Sequence, residues 1–158
     1  MIVILDTSVL GLITNRNTAS NEVNNCQRWL SLLLARSAYI VTSDLCDYEH
    51  RRGLILASMT GGDSSGIKKL NQLRQNETID FLPVTSEVLL VAAEKWAIAQ
   101  TSNLPTTDKK RIDVDIILSA QWQLLKEQFP GRTVVIATTN IRHFSRFTDC
   151  QNWQNITY

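Results

Sequence analysis

The sequence predicts an α/β fold, a parallel sheet covered by helices on both faces. Three observations carry this. Short continuous apolar runs, Ile2-Val3-Ile4-Leu5 above all, read as strands buried on both sides. Longer stretches with apolar residues at helical spacing separate them. The two kinds alternate along the chain, the pattern of parallel strands joined by helical crossovers.

The first strand stops at Asp6, a favoured N-cap residue, so one reading places a helix from Thr7 onward. Residues 23–36 carry Trp29, Leu30, Leu32, Leu33 and Leu34 and form the next helix. Tyr39-Ile40-Val41-Thr42 is a second buried strand. Residues 44–59 follow as a helix with Leu45, Tyr48, Ile55 and Leu56 at helical spacing. The Gly- and Ser-rich residues 60–66 form a loop between two helices. A further strand falls within 79–84, with Pro83 near its end. Helices over 86–100 and 113–128 enclose a second loop at 101–111. Val134-Val135-Ile136-Ala137 is the fourth strand candidate. Trp29, Trp96 and Trp122 fall on apolar helix faces and read as core.

A chain of 158 residues fits one domain, 1–158. At that size folding buries roughly 70% of the extended chain's surface, so a core forms without staples. Sixteen Lys+Arg against fifteen Asp+Glu leave a formal charge of +1, so any basic surface is a local patch. Cys26, Cys46 and Cys150 are odd in number and widely spaced. They make neither a disulfide framework nor a Cys-x-x-Cys element, which suits a reducing compartment. The apolar opening ends at Asp6, far short of a signal-peptide core or a bilayer span. A cytoplasmic protein with no membrane partner is expected.

Several α/β functions are excluded. Asp6-Thr7-Ser8-Val9-Leu10 follows the first strand where a dinucleotide site wants Gly-x-Gly-x-x-Gly. There is no Gly-Lys-Ser/Thr phosphate loop and no Gly-x-Ser-x-Gly elbow. Ser8 stands where an Asp-x-Asp phosphohydrolase needs its second acid.

What remains is a set of oxygen donors. Asp6 follows a buried strand, and open α/β sheets bind ligands beyond the carboxyl ends of their strands. It serves equally as a helix cap. Glu49 shares a helix face with Leu45, Tyr48 and Leu56, which sets it at the border of the apolar stripe. There it needs a partner, and an ion pair with Arg52 is the plainer account. Asp113 and Asp115 open the helix over 113–128. One acid suffices for capping, and Asp115 precedes Leu118, Ser119 and Trp122 on one face, which aims it inward. Asn140, like Asp6, comes directly after a buried strand, although turn formation is the default for an isolated Asn. Asp6, Glu49, Asp115 and Asn140 together offer hard donors of the kind that suit Mg²⁺ or Mn²⁺. If these carboxylates crowd together, at least one of their pKa values should rise. His50 and His143 have no zinc-ligand spacing.

Four segments carry a family likeness. Ile4-Leu5-Asp6-Thr7-Ser8, Tyr48-Glu49-His50-Arg51-Arg52-Gly53-Leu54, Asp113-Val114-Asp115-Ile116-Ile117-Leu118-Ser119-Ala120 and Thr138-Thr139-Asn140-Ile141-Arg142-His143-Phe144 resemble PIN-domain ribonucleases. The likeness is strongest to VapC-type toxins of bacterial toxin–antitoxin pairs. It spans most of the chain, with four motifs in order.

The resemblance implies a three-layer α/β/α sandwich with strand order 3-2-1-4-5. It implies Mg²⁺- or Mn²⁺-dependent endonucleolytic cleavage of RNA, a homodimer, and a cognate antitoxin that occludes the site. By position Asp6, Glu49 and Asp115 match the family's best-kept acids, as catalytic and metal-holding residues. Thr7, Ser8 and Thr138 match polar positions beside the metal. Asn140 stands where many members carry a fourth acid, and His143 where members often have Asp or Glu. Three carboxylates leave a second metal open, with Asp113 in reserve. Arg51, Arg52, Arg142 and Arg146, with Lys109-Lys110-Arg111, flank the acidic motifs, where a polyanion wants its phosphates neutralised. A non-catalytic PIN-like binding module and a metal-dependent nuclease acting on DNA are the competing readings.

Overall fold

The computed structural model describes residues 1–101, 112–145 and 147–157, without the side chains of Ile112, Asp113 and His143. The chain opens with β1 (Ile2–Leu5), α1 (Thr7–Thr14), α2 (Asn21–Ala35) and β2 (Tyr39–Ser43). There follow α3 (Asp44–Met59), α4 (Ser65–Gln75), β3 (Asp80–Leu82) and α5 (Ser86–Thr101). Then come α6 (Ile112–Gln128), β4 (Val134–Thr138), α7 (Ile141–Phe144), β5 (Cys150–Asn152) and a 3-10 turn, Trp153–Asn155.

The strands form one sheet in the order β3-β2-β1-β4-β5, as the resemblance implies, and every neighbouring pair is parallel. β1 is central. Leu5 stands beside Thr42 on one flank and beside Ala137 on the other. Alternate residues serve opposite faces, as strand geometry requires. Val3, Leu5, Ile40, Val135 and Ala137 pack on Val9 and Ile13 of α1, Cys26, Leu30 and Leu33 of α2, and Trp153. Ile2, Ile4, Val41, Val134 and Ile136 pack on Cys46 of α3, Leu70 of α4, Leu118 and Leu125 of α6, and Phe144. The result is a three-layer α/β/α sandwich. A smaller cluster joins α5 to α6 through Val88, Ala92, Ile116 and Ala120.

Two expectations about helix faces need correction. Tyr48 and Leu56 are 59% and 64% exposed, so they form no core stripe on α3. The inward face of α3 carries Cys46, Glu49, His50, Gly53 and Leu54, because it walls a cavity that Asp6 and Asn140 also line. Trp96 is 45% exposed and not core. The buried face of α5 runs through Val88, Ala92 and Ala99, and Trp96, four residues after Ala92, lies at the edge of that face.

β5 escaped the sequence reading because Cys-Gln-Asn has no apolar run. Its pairing with β4 defines it, with Cys150 beside Ile136. The three cysteines are free thiols. Among the described residues, no helix is long and apolar enough to cross a membrane.

Candidate active site

β1 and β4 are neighbours and parallel, so the residues that follow them leave the sheet side by side. The Asp6 amide donates to Ala137 O at 3.1 Å. The Asp6 side chain then divides its oxygens. Oδ1 caps α1, accepting from the Val9 amide at 2.9 Å and the Ser8 hydroxyl at 2.6 Å. Oδ2 accepts from the Thr138 hydroxyl at 2.5 Å. Thr138 Oγ1 accepts from the Asn140 amide at 2.8 Å, and Ser8 Oγ from the Thr139 amide at 3.1 Å. The two strand ends are thus tied together through Asp6 and Ser8. Cap and cavity residue are one role for Asp6, since capping fixes the rotamer that the cavity uses.

Asp6 is only 6% exposed. Burial pushes its carboxyl pKa up, against the pull of the Ser8 and Thr138 hydroxyls and the Val9 amide. The expected rise is present, and its leading cause is burial rather than crowding by other acids.

α3 brings Glu49 to the same place. Its Oε2 accepts from the Thr7 hydroxyl at 2.6 Å. The Arg52 guanidinium is 3.9 Å from Oε1, too loose to be the main partner. α6 contributes Asp115 from its first turn. Asp6, Thr7, Ser8, Glu49, Asp115 and Asn140 all line one cavity of about 540 Å³, and Arg52 stands at its wall.

Other predicted residues are not brought there. Arg51 turns away to Asp47 (2.9 Å) and to Asn71 of α4 (2.7 Å), so it braces two helices and does not line the cavity. Thr138 is fully buried behind Asp6, where it positions the carboxylate and cannot reach a substrate. Arg142 is exposed on α7, off the cavity wall. Arg146, Lys109-Lys110-Arg111 and the side chains of Asp113 and His143 lie outside the described residues.

Sequence reasoning missed His50, Thr139, Leu54 and Phe144, which also line the cavity. A signal for His50 existed. It lies four residues after Cys46 and three before Gly53, on the helix face that buries Cys46.

The donor set is carboxylate and amide oxygen, which fits a hard divalent cation. Among the described residues, no group of three His, Cys, Asp or Glu is close enough together to hold an ion by itself. The acids share a cavity, with Asp6 and Glu49 each drawn to neighbouring hydroxyls. Mg²⁺ requires no closed cage, since it is usually held by one or two carboxylates and keeps several waters.

Several solved structures share this arrangement of elements. FitAcB from Neisseria gonorrhoeae superposes with a TM-score of 0.69 at 18% identity, covering 98% of this chain and 99% of that one. VapBC-1 from nontypeable Haemophilus influenzae gives 0.64 at 16%, covering 98% and 100%. VapC20 from Mycobacterium tuberculosis, a sarcin–ricin loop cleaving toxin, gives 0.59 at 15%, covering 93% and 97%. The fold is PIN-like. No protein-family model matches the chain, and no protein of curated function matches its sequence, so the likeness rests on the PIN-like fold. On this PIN-like frame the cavity opens at the carboxyl ends of β1 and β4, where parallel sheets present their ligand sites.

Proposed function

We propose that this protein is a metal-dependent endoribonuclease and the toxin of a toxin–antitoxin pair. One observation carries the proposal: Asp6, Glu49, Asp115 and Asn140 line a single cavity at the carboxyl end of a PIN-like sheet. VapC20, which cleaves the sarcin–ricin loop, shares the fold and supports RNA as the substrate. The likeness to VapBC-1 and FitAcB supports a cognate antitoxin as partner.

In this reading Asp6, Glu49, Asp115 and Asn140 hold Mg²⁺ or Mn²⁺. The bound ion supplies positive charge that polarises the phosphodiester and acidifies a water. The chain's own residues do the positioning. Ser8, Val9 and Thr138 lock the Asp6 carboxylate, and Thr7 locks Glu49. Arg52 offers a guanidinium to a phosphate oxygen at the cavity wall. The apolar side chains that α3 and α5 expose, Tyr48, Leu56, Met59, Leu90 and Ile98, support protein partners, either a second copy or the antitoxin.

Among the described residues the acids are not gathered into a ready ligand group, which favours a second reading, a PIN-like module that binds RNA without cutting it. One experiment separates the two. Purified protein is incubated with single-stranded RNA in Mn²⁺, Mg²⁺ or EDTA, with DNA of the same sequence as control. RNA cleavage that appears with metal and vanishes in EDTA is the expected result. Intact RNA under every condition would overturn the proposal, and cleavage of the DNA alone would change the substrate.

A further inference from the structure

We infer that an RNA strand leaving the acid-lined cavity crosses His50 and follows a groove to Arg16 and Lys69, which bind its phosphates. The inference rests on the ribonuclease reading of the site and adds a binding track to it. A second cavity, of about 420 Å³, lies beside the first, and His50 and Leu54 line both. A third, of about 200 Å³, shares Asn15 and Arg16 with the second and is also lined by Lys69. The three cavities therefore adjoin one another in series, from the acids to Lys69.

The chemistry along this path suits a polyanion. Arg16 and Lys69 form no ion pair among the described residues. They are near enough to repel, and burial together with the Arg16 charge holds the Lys69 ammonium below its usual pKa. Phosphates placed between them would relieve that repulsion. The acid in the second cavity, Asp63, accepts from the amide and hydroxyl of Ser65 at the start of α4 and also feels the charges of Arg16 and Lys68, with which a phosphate would compete. Thr14, Asn15, Asn17 and Ser65 add hydroxyl and amide groups to the walls. A protein partner would want buried aromatic anchors, and neither outer cavity offers one beyond the His50 ring.

The path is also built in advance. Gln27 of α2 donates to Asn15 O at 2.8 Å and Ile13 O at 3.2 Å, and Asn24 donates to Thr18 O at 2.8 Å. Asn15 and Asn17 accept from the amides of Asn17 and Ala19 at 2.9 and 3.1 Å. The loop that presents Arg16 is therefore pinned to α2, which lowers the cost of ordering it on binding. His50 is pinned too, its Nε2 lying 2.6 Å from Thr14 Oγ1. Its ring lies on the wall that the first two cavities share, where an unpaired base would meet it.

The test measures binding of the full chain, in EDTA, to labelled single-stranded RNAs of three and twelve nucleotides over a salt series. The wild type should prefer the longer RNA. The double variant Arg16→Glu/Lys69→Glu should bind it at least tenfold more weakly and leave the short one unchanged. Its log Kd against log salt should flatten by about 0.7 for each phosphate that is no longer neutralised. Arg16→Gln/Lys69→Gln, which perturbs folding less, should show a smaller loss of the same kind. Unchanged affinity and slope in both variants would overturn the groove, as would an equal loss for the two lengths. Full RNA binding with failed capture of the antitoxin would also overturn it and assign the groove to a protein partner. A Mn²⁺ cleavage assay keeps the two ideas apart. Length-dependent, charge-sensitive binding without cleavage supports the groove and removes the nuclease reading. Cleavage with charge-insensitive binding does the reverse.

Discussion

At Asp6 both carboxylate oxygens accept hydrogen bonds, yet burial still raises the pKa of the group. A folded-state pKa above the unfolded value means that the native state binds more protons between the two. Stability then falls as pH rises through that window, and above it the charged carboxylate is a cost. Asp6→Asn keeps a capping amide and removes the charge. It is expected to abolish cleavage and to raise Tm at neutral pH in EDTA, a gain that shrinks as pH falls toward about 4. Calorimetry across that range checks the sign. Added Mn²⁺ should raise the Tm of the wild type by ligand linkage and leave Asp6→Asn unmoved. Asn140 gives a second residue-level expectation. Its side chain makes no cap to α7 although it sits at the N-cap position. Asn140→Ala should therefore leave Tm unchanged while weakening Mn²⁺ binding and slowing cleavage, whereas Asn140→Asp should tighten Mn²⁺. Titration calorimetry beside a melting curve decides. A lower Tm with unchanged metal affinity would make Asn140 a turn residue after all.

Neighbouring arginines on α3 show what a helix does to a charge pair in the sequence. Arg51 and Arg52 are separated by about 100° around the axis. Arg51 is bonded to Asp47 and Asn71, and Arg74 of α4 reaches Asp44 at 2.5 Å and Asp47 at 3.3 Å. These bonds clamp α4 to α3 around the buried Asp47. Arg51→Ala should cost about 1–2 kcal/mol, since it removes hydrogen bonds to a charged, partly buried group. In a chain of this size that lowers Tm by roughly 2–4 °C per kcal/mol, with the proposed RNA cleavage per folded molecule unchanged. Arg52→Ala should do the opposite. Its stability should stay within about 0.5 kcal/mol, as for other exposed side chains, while kcat/KM falls. Equal effects of the two substitutions on cleavage would contradict the division of roles.

For the whole molecule, the last described residues close the core. Trp153 packs at 5.7 Å from Trp29, whose Nε1 donates to Ile156 O at 3.0 Å. The 3-10 turn thereby seals the layer formed by α1 and α2, on the side of the sheet opposite α6. Trp153→Ala should cost about 3–5 kcal/mol through the cavity it leaves. The Tm should drop on the order of 10 °C, with cleavage per folded molecule retained below the transition. A loss of cleavage without a loss of stability would mean that this end of the chain reaches the site. Thermal melts and activity at low temperature measure both.

Elements with a local signal were legible in the sequence alone. Ile2–Leu5 and Asp44–Met59 are the spans that their apolar run and helical spacing predict. Asp6 and Asn140 could be placed because a residue that follows a buried strand has little choice of direction. Asp115 could be singled out because a carboxylate facing inward needs a reason, whereas Glu49 was placed by a stripe, Leu45, Tyr48 and Leu56, of which Tyr48 and Leu56 are exposed. The rest took shape only in the packed molecule. β5 exists through its register with β4, not through apolar residues of its own. Tyr48 and Leu56 point outward because the inner face of α3 meets the sheet through Cys46 and lines the cavity through Glu49, His50 and Gly53, and spacing alone cannot tell which face that is. Arg51 left the site and His50 joined it for the same reason. The groove through Asn15, Arg16 and Lys69 joins residues far apart in the chain. Such a surface has no period to read, since it forms only when α1, α2 and α4 pack together.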